Sequence, residues 1–200
     1  MPSKQGGRKR IVKPRSIRWI AGIACFVMFA TSSLAIADTS TDFHVRGKAT
    51  VHYVIDGDTA ILRVSDATTW KKLRDLALDR QRFTGRKLNI NRNFSVVNGY
   101  PEMKVRIGMI QTPESVHPDK DRITKAGIIA SQFAKSVFQG DHAYFECWDI
   151  GYYGRPICSV RTPDGDWGKV MIKNGHSTYW TKYGTHPFDH EGYLAAARAR

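Results

Sequence analysis

Two carboxylates stand on either side of one glycine at Asp56-Gly57-Asp58, within the apolar stretch "VIDGDTAIL". Carboxylate oxygens are hard ligands of the kind that bind Ca²⁺ or another divalent cation. The same residues also suit a type I′ hairpin turn between two strands. The tripeptide recurs at residues 164–166 after Pro163, where it is typical of a turn and a helix N-cap. The rest of the chain must therefore decide between a metal site and a turn.

Three further charged residues could act together with the acidic turn. Arg106 lies in the strand pattern "VRIGMI", Glu114 follows Thr112 and Pro113 where that strand ends, and Arg155 lies in "YYGRP". Guanidinium groups bind phosphate oxygens in bidentate fashion, and a carboxylate can deprotonate a water molecule. Structural alternatives remain: Arg106 could pair with a carboxylate at the edge of the core, Glu114 could cap a turn, and Arg155 could be solvated.

Short strands with interspersed helices must position these residues. Residues 49–55 and 59–64 are rich in β-branched and apolar side chains, which predicts two strands joined at the Asp-Gly turn. Further strands are expected at 103–110, 142–148 and 156–162, and helices at 123–140, at 167–175 and from Asp189. The pattern predicts an α+β fold, a small closed or partly closed antiparallel barrel with helices around it. The buried side of the 123–140 helix is expected to consist of its large apolar residues, Ile128, Ile129, Phe133, Val137 and Phe138.

Three motifs in this order carry a family resemblance: "DGDT" at 56–59, "QTPE" at 111–114 and "YGR" at 153–155, with Arg106 five residues before the second. Together they resemble the thermonuclease family, the staphylococcal-nuclease-like phosphodiesterases. The resemblance runs from about Ala49 to the C-terminus, so it implies a nuclease domain at 49–200 after a polar segment at 38–48. It implies an OB-fold, a five-stranded antiparallel barrel with about three helices.

The resemblance implies a calcium site, or a site for another hard divalent cation. Asp58 would be a direct ligand, the Thr112 carbonyl a further one, and Asp56 would act behind them or through a water. Gln111 stands where the family usually has an aspartate. A glutamine oxygen can bind a hard cation but brings no charge, so weaker cation binding or loss of catalysis is expected.

The resemblance also implies the catalytic roles. Glu114 would orient or deprotonate the attacking water, while Arg106 and Arg155 would hold the phosphate. Tyr153 matches a family tyrosine that touches the substrate phosphate. Tyr152 replaces a lysine that the family can offer, which puts one phosphate contact in doubt.

Residues 65–103 are an insertion, longer than the loop that the family usually has here. Its first part predicts a helix, because capping residues precede Trp70, Leu73 and Leu76 at helical spacing. Its second part is basic and aromatic, which is typical of a groove for single-stranded nucleic acid, although a solvated loop is the alternative. The expected substrate-binding residues are Arg82, Arg86 and Lys87, with Phe83 and Phe94 for base stacking.

The first 37 residues are typical of a signal peptide, with a basic head, an apolar run and a small-residue end at Ala37. Cleavage after Ala37 would leave a periplasmic or secreted protein without stable membrane association; a retained N-terminal anchor is the alternative. Removing the seven basic residues before Asp38 lowers the net charge from +13 to +6. The remainder is moderately basic, as suits a polyanionic partner such as DNA or RNA.

Cys147 and Cys158 flank the tip of an expected hairpin. In an oxidising compartment, facing cysteines on paired strands would form a disulfide, whereas two separate buried thiols are the alternative.

The sequence therefore predicts an exported, divalent-cation-dependent nuclease, a phosphodiesterase that cuts DNA or RNA. The family resemblance implies that its products carry a 5′-hydroxyl and a 3′-phosphate. Serine and cysteine nucleophile motifs are absent from the sequence. The stretch "HPFDHE" at 186–191 could suggest zinc ligands, but it coincides with a predicted helix start, which favours capping. The alternatives are a catalytically weak or inactive nucleic-acid-binding module, which Gln111 favours, and a barrel that binds an envelope glycan or protein. The oligomeric state is left open.

Overall fold

The computed structural model describes residues 43–116 and 119–200. The predicted signal peptide, residues 1–37, lies outside this part of the chain, so export and cleavage after Ala37 stay predictions. Within the described residues, no helix is long and apolar enough to cross a bilayer.

A seven-stranded sheet organises the described chain. Its strands are β1 (Val45–Asp56), β2 (Thr59–Val64), β3 (Phe94–Val97), β4 (Tyr100–Ile107), β6 (His142–Ile150), β7 (Pro156–Thr162) and β8 (Gly165–Asp166). Across the sheet they lie in the order β3-β4-β2-β1-β6-β7-β8. The ends of β4 and β7 also pair in parallel, at Arg106 with Ile157 and Ile107 with Cys158. That short junction bends five strands (β1, β2, β4, β6 and β7) into a barrel-like ring that is incompletely closed. The α+β fold, consistent with an OB-type nuclease barrel, is confirmed.

The smaller elements surround this ring. A separate pair, β5 (Ile110–Gln111) and β9 (Thr178–Tyr179), lies next to the exit of β4. The helices are α1 (Ala67–Thr84), α2 (Ile90–Asn93), α3 (Lys125–Phe138), α4 (Trp167–Lys173) and α5 (His190–Arg198). The first two belong to the insertion, which leaves three helices for the barrel, as the resemblance implies.

The core follows from the period-2 pattern of the strands, because alternate side chains point into the ring. Val51, Leu62, Val105, Phe145 and Val160 are fully buried from five different strands. Removing each such side chain from water stabilises the fold by about 1.5–3 kcal/mol. The polar residues between them therefore remain at the surface or at the mouth of the ring.

The predicted buried face of α3 is wrong for two residues, since Ile128 and Ile129 are 44% and 45% exposed. The helix instead buries mainly small residues: Gly127, Ala130, Ser131 and Ala134, with Phe138 at its end. The reason is the close approach of the helix start, where a Cβ on Gly127 would lie 2.1 Å from the Glu114 carbonyl oxygen. A helix that packs this closely presents its small side chains to the sheet and turns the bulky ones outward.

The Cys147–Cys158 disulfide is present, and the two residues are direct partners in the β6–β7 ladder. The bond lies below the hairpin tip that carries Arg155. It closes a short loop and so stabilises the hairpin chiefly by restricting the unfolded chain.

Candidate functional site

The acidic turn joins β1 to β2 and faces the exit of β4. The Asp58 carboxylate is almost fully buried: Oδ1 pairs with Arg106 Nη1 at 2.5 Å, and Oδ2 accepts a hydrogen bond from the Thr112 hydroxyl at 3.1 Å. Neither Gly57 nor Asp58 has a positive φ, so the turn is not type I′. Glycine is needed for a different reason, because a Cβ at Gly57 would lie 2.7 Å from Thr112 Cγ2.

Arg106 connects the acidic turn to the altered ligand position. Besides Asp58, its guanidinium donates to the Ile110 carbonyl and to Gln111 Oε1, both at 3.1 Å. Gln111 is exposed, and its backbone is held by Ser177, whose hydroxyl accepts from the Gln111 N–H and donates to its carbonyl. The glutamine amide oxygen therefore lies beside the guanidinium that pairs with Asp58.

Arg155 reaches the same place from the β6–β7 hairpin. Its Nη1 donates to the Thr59 hydroxyl at 3.0 Å, and Thr59 in turn donates to Asp58 Oδ1 at 3.1 Å. Burial lowers the pKa of Arg155, and the positive charge of Arg106 lowers it further. Two guanidiniums thus lie close enough to repel each other, an arrangement that a shared anion such as phosphate would stabilise.

Asp56 completes the charged cluster. Burial raises its pKa to about 6, and the nearby charge of Asp58 adds to the effect. Two carboxylates held together out of water are electrostatically unfavourable, and such strain is concentrated at functional sites.

The donor chemistry fits a hard divalent cation. The oxygens available are the Asp56 and Asp58 carboxylates, the Gln111 amide oxygen and the Thr112 backbone carbonyl, and a cation would relieve the repulsion between the two acids. In residues 43–116 and 119–200, no group of three or more histidine, cysteine or acidic side chains is placed to hold a metal ion, so this site offers two carboxylates with an amide and a backbone oxygen. The set is poor in charge, because Gln111 is neutral and Arg106 already pairs with Asp58.

Glu114 is half-buried, two residues beyond Thr112. Its backbone carbonyl accepts from the Thr124 N–H at 3.0 Å, next to the start of α3. The structure fixes the backbone of Glu114, whereas the carboxylate makes no ion pair with Arg106 or Arg155 in the described residues.

A cleft of about 550 Å³ opens in front of the two guanidiniums. Its walls come from the end of α1 and the turn after it, the exit of β4, the hairpin tip and the segment after β9. The lining is rich in arginine and aromatic residues: Arg80, Arg86, Arg106, Arg155, Tyr152, Tyr153, Trp180 and Tyr183. Asp149 is the one acid among the lining residues.

The predicted substrate-binding residues are divided by the structure. Arg86 and Tyr153 line the cleft, and Arg82 and Lys87 do not. Arg82 is exposed on α1 and pairs with Asp79. The phenylalanines do not support the stacking prediction, since Phe94 is 3% exposed in the core and Phe83, although 82% exposed, is not part of the cleft.

Sequence reasoning missed three residues that hold the site. Ser177 fixes the Gln111 backbone, Arg80 pairs with Asp149 at the hairpin tip, and Asn93 donates to the Tyr153 carbonyl at 2.7 Å. Asn93 and Arg80 lie in the insertion, far along the chain from their partners. No local pattern marks such long-range contacts.

Comparison with known families agrees with the geometry. The family model described as staphylococcal nuclease homologue matches residues 104–200. This part of the chain, just under half of its length, is therefore similar to the staphylococcal nuclease family. Members of the family are nucleases and in general depend on Ca²⁺. The matched residues include Arg106, Glu114 and Arg155, and the acidic turn before them joins the site through the Asp58–Arg106 pair. Among curated proteins, a search finds no significant match to the chain.

Proposed function

We propose that this protein is an exported, divalent-cation-dependent phosphodiesterase that cuts DNA or RNA. The observation that carries the proposal is the linked cluster in which Asp58 contacts Arg106 and Thr112 while Arg155 is bound through Thr59. These contacts join three distant chain segments at the end of the ring next to the cleft. A phosphodiester needs this combination of charges, because its own negative charge repels a nucleophile.

The two guanidiniums hold the non-bridging oxygens of the phosphate and stabilise the charge that develops at the five-coordinate phosphorus. Glu114 takes a proton from water as the water oxygen bonds to phosphorus, the P–O5′ bond breaks, and the leaving 5′-oxygen takes a proton from solvent water in the open cleft. The products are a 5′-hydroxyl and a 3′-phosphate. The Tyr153 hydroxyl is a further phosphate contact at the wall of the cleft.

Asp58, Asp56, Gln111 and the Thr112 carbonyl would hold the divalent cation, with Ca²⁺ as the first candidate. When bound, such a cation supplies positive charge near the phosphate and lowers the pKa of a bound water.

A second candidate function is a binding module that holds nucleic acid without cutting it. Gln111 favours it, because a neutral ligand that is hydrogen-bonded to Arg106 leaves the cation site short of charge.

Digestion of plasmid DNA, single-stranded DNA and RNA by the purified protein separates the two candidates. With Ca²⁺ the wild type should cut, while chelator or Glu114→Gln should stop cutting without changing the circular dichroism spectrum. A folded wild type that binds labelled DNA but cuts none of the three substrates at any Ca²⁺ concentration would leave only the binding module.

A further inference from the structure

One wall of the cleft is built by the insertion, which contributes Arg80 and Arg86. α1 ends at Thr84, Gly85 adopts a left-handed backbone conformation (φ +65°), and the chain turns there toward the hairpin. The Arg86 guanidinium carbon then lies 4.2 Å from the centroid of the Tyr152 ring. This cation–π pair brings a residue of the insertion onto the hairpin that carries Arg155.

Other contacts fix this wall in place. The Arg80–Asp149 ion pair ties α1 to the base of the hairpin tip, and the Asn93 amide ties α2 to the Tyr153 carbonyl. Gly154, with φ +80°, packs against Leu88, where an added Cβ would lie 3.0 Å from Leu88 Cβ. The insertion and the hairpin therefore pack against each other. Arg86 is fixed in position because contacts to the hairpin lie both before it in the chain, at Arg80, and after it, at Leu88 and Asn93.

The charges of the cleft do not cancel. Arg80 is neutralised by Asp149 and Arg106 by Asp58, whereas Arg86 and Arg155 have no carboxylate partner among the described residues. Two unpaired guanidiniums in one cleft favour a ligand with more than one anionic group, such as consecutive phosphates of one strand.

Exposed rings stand beside these two cations. Tyr152 is 65% exposed and Tyr153 is 63% exposed, although both lie in a cleft. Aromatic faces that are open to solvent next to phosphate-binding groups are what an unpaired nucleotide uses, since its base can leave its own stack and pack on the ring. In a duplex, the bases are already stacked and paired.

We propose that Arg86 and Tyr152 form a second nucleotide subsite, in which the guanidinium binds a phosphate next to the scissile one and the exposed tyrosine surface stacks an unpaired base. The inference rests on the proposed function and names its substrate class, a single-stranded nucleic acid. The insertion in this way returns a cation to the place where Tyr152 replaces the lysine that the resemblance leads one to expect.

Binding of a fluorescein-labelled 12-nucleotide oligo(dT) in chelator, followed by anisotropy, tests the subsite without any cutting. Arg86→Ala and Tyr152→Ala should each weaken binding roughly tenfold, within the range for a lost stack or phosphate contact. Arg86→Ala should also lower the slope of log K against log salt by about 0.7, as one lost phosphate contact does on a single strand, and Tyr152→Ala should leave that slope unchanged. A duplex of the same length should lose less than threefold in either variant.

Lys72→Ala is the matched control, because it removes an exposed positive charge from α1, in the same insertion as Arg86 but outside the cleft. It should change binding by less than twofold. The subsite would be overturned if Arg86→Ala bound the oligonucleotide as tightly as Lys72→Ala does. It would also be overturned if Arg86→Ala lost as much affinity for the duplex as for the single strand. Thermal unfolding of each variant separates a lost contact from a damaged fold. Arg86→Lys keeps the positive charge and should bind better than Arg86→Ala. If Arg86→Lys binds no better and the Tm of Arg86→Ala is lowered, the binding loss reflects a damaged fold and the subsite is overturned.

A small chromogenic thymidine phosphodiester, which is too short to reach the second subsite, separates this inference from the proposed function. The wild type and the Lys72→Ala control should cut it at the same rate, which tests the proposed function without the second subsite. If no variant and no wild type cuts it, the proposed function fails while the oligonucleotide binding still decides the subsite.

Discussion

Asp-Gly-Asp occurs twice, at residues 56–58 and 164–166, and the two copies have different surroundings. In the first copy, Asp58 pairs with a guanidinium from β4, and burial together with Asp58 raises the pKa of Asp56 to about 6. In the second copy, only Asp166 is buried. It accepts hydrogen bonds from the Ser159 hydroxyl, the Tyr193 hydroxyl and the Lys169 N–H, and it caps α4.

The difference lies in the partners. Neutral donors surround Asp166 and satisfy its carboxylate completely, which makes it a structural residue. The first copy keeps two acids together beside a cleft. The Asp58–Arg106 pair compensates only part of their repulsion, so the pKa of Asp56 stays raised, as is common at functional sites. A tripeptide that favours a turn is thus compatible with both roles, and the residues that reach it from elsewhere in the chain select one.

The largest expected effect is at the first copy. Asp58→Asn should lower the rate of DNA cleavage by a factor on the order of 10²–10³, since it removes a charged ligand and the partner of Arg106. The free energy of unfolding should change by less than about 1 kcal/mol, because the lost ion pair is offset by the lost repulsion from Asp56. Initial rates on plasmid and urea unfolding measure both. A cleavage rate of Asp58→Asn within threefold of the wild-type rate would contradict a functional role for the first copy.

The reverse pattern is expected at the second copy. Asp166→Asn should lower the free energy of unfolding by about 2–3 kcal/mol, because an amide NH₂ would face the hydroxyl donors that now donate to a buried carboxylate. Activity per folded molecule should stay close to that of the wild type. Urea unfolding combined with rates corrected for the folded fraction checks this, and a folded but inactive Asp166→Asn would contradict the structural role.

A smaller change is expected on restoring charge beside the first copy. Gln111→Asp should lower the dissociation constant for Ca²⁺ roughly tenfold, since the affinity of oxygen sites follows the number of charged ligands. Calorimetric titration with Ca²⁺ measures it independently of activity. The matched change Asn174→Asp, at the end of α4, should leave Ca²⁺ binding unchanged; equal affinities in Gln111→Asp and the wild type would remove residue 111 from the cation site.

The smallest effect concerns pH and lies near the second copy. His186 is 3% exposed and packs on Tyr193, and its Nδ1 accepts the N–H groups of Phe188 and Asp189. Burial is the main cause that lowers the pKa of His186, and the positive charge of Lys169 lowers it further. The nearby carboxylates act in the opposite direction but are outweighed: Asp166, Asp189 and Glu146.

The folded protein favours the neutral form of His186. In the unfolded chain the pKa of this histidine is about 6.5, so below that pH the unfolded chain binds the proton more readily than the folded protein does. The free energy of unfolding should therefore fall as the pH drops below about 6.5, by at most about 1.4 kcal/mol per pH unit for one proton. His186→Asn can still accept the same N–H groups and should flatten that dependence in urea titrations between pH 7.5 and 5. Equal slopes in both proteins would exclude His186 as the titrating group.

Much of the local structure could be predicted from the sequence. Asp66 and Asp189 cap α1 and α5 as their positions indicate, and the two cysteines of the hairpin are bonded. The buried side of α3 could not be predicted, since hydrophobicity favours Ile128 and Ile129 while the close approach at Gly127 selects the small residues. The sequence proposed the types of residue at the candidate site, and their roles stay predictions, whereas it gave no signal for the neighbours Ser177 and Asn93 that hold the site in place.

The order of residues along the chain determined the caps, the turns, the strand alternation and the types of side chain able to bind a cation and a phosphate. Each of these depends on contacts a few residues apart or on a short repeat. Only the tertiary structure decided which acidic turn meets an arginine, and which arginine of the insertion reaches the cleft. Those outcomes depend on strand register and on the way α1 and α2 pack against the hairpin, and their partners lie 48 residues apart for Asp58 and Arg106 and 60 for Asn93 and Tyr153. The spacing of residues along the chain does not predict which distant residues meet in space, because loops of different length can bring their ends together at similar entropic cost.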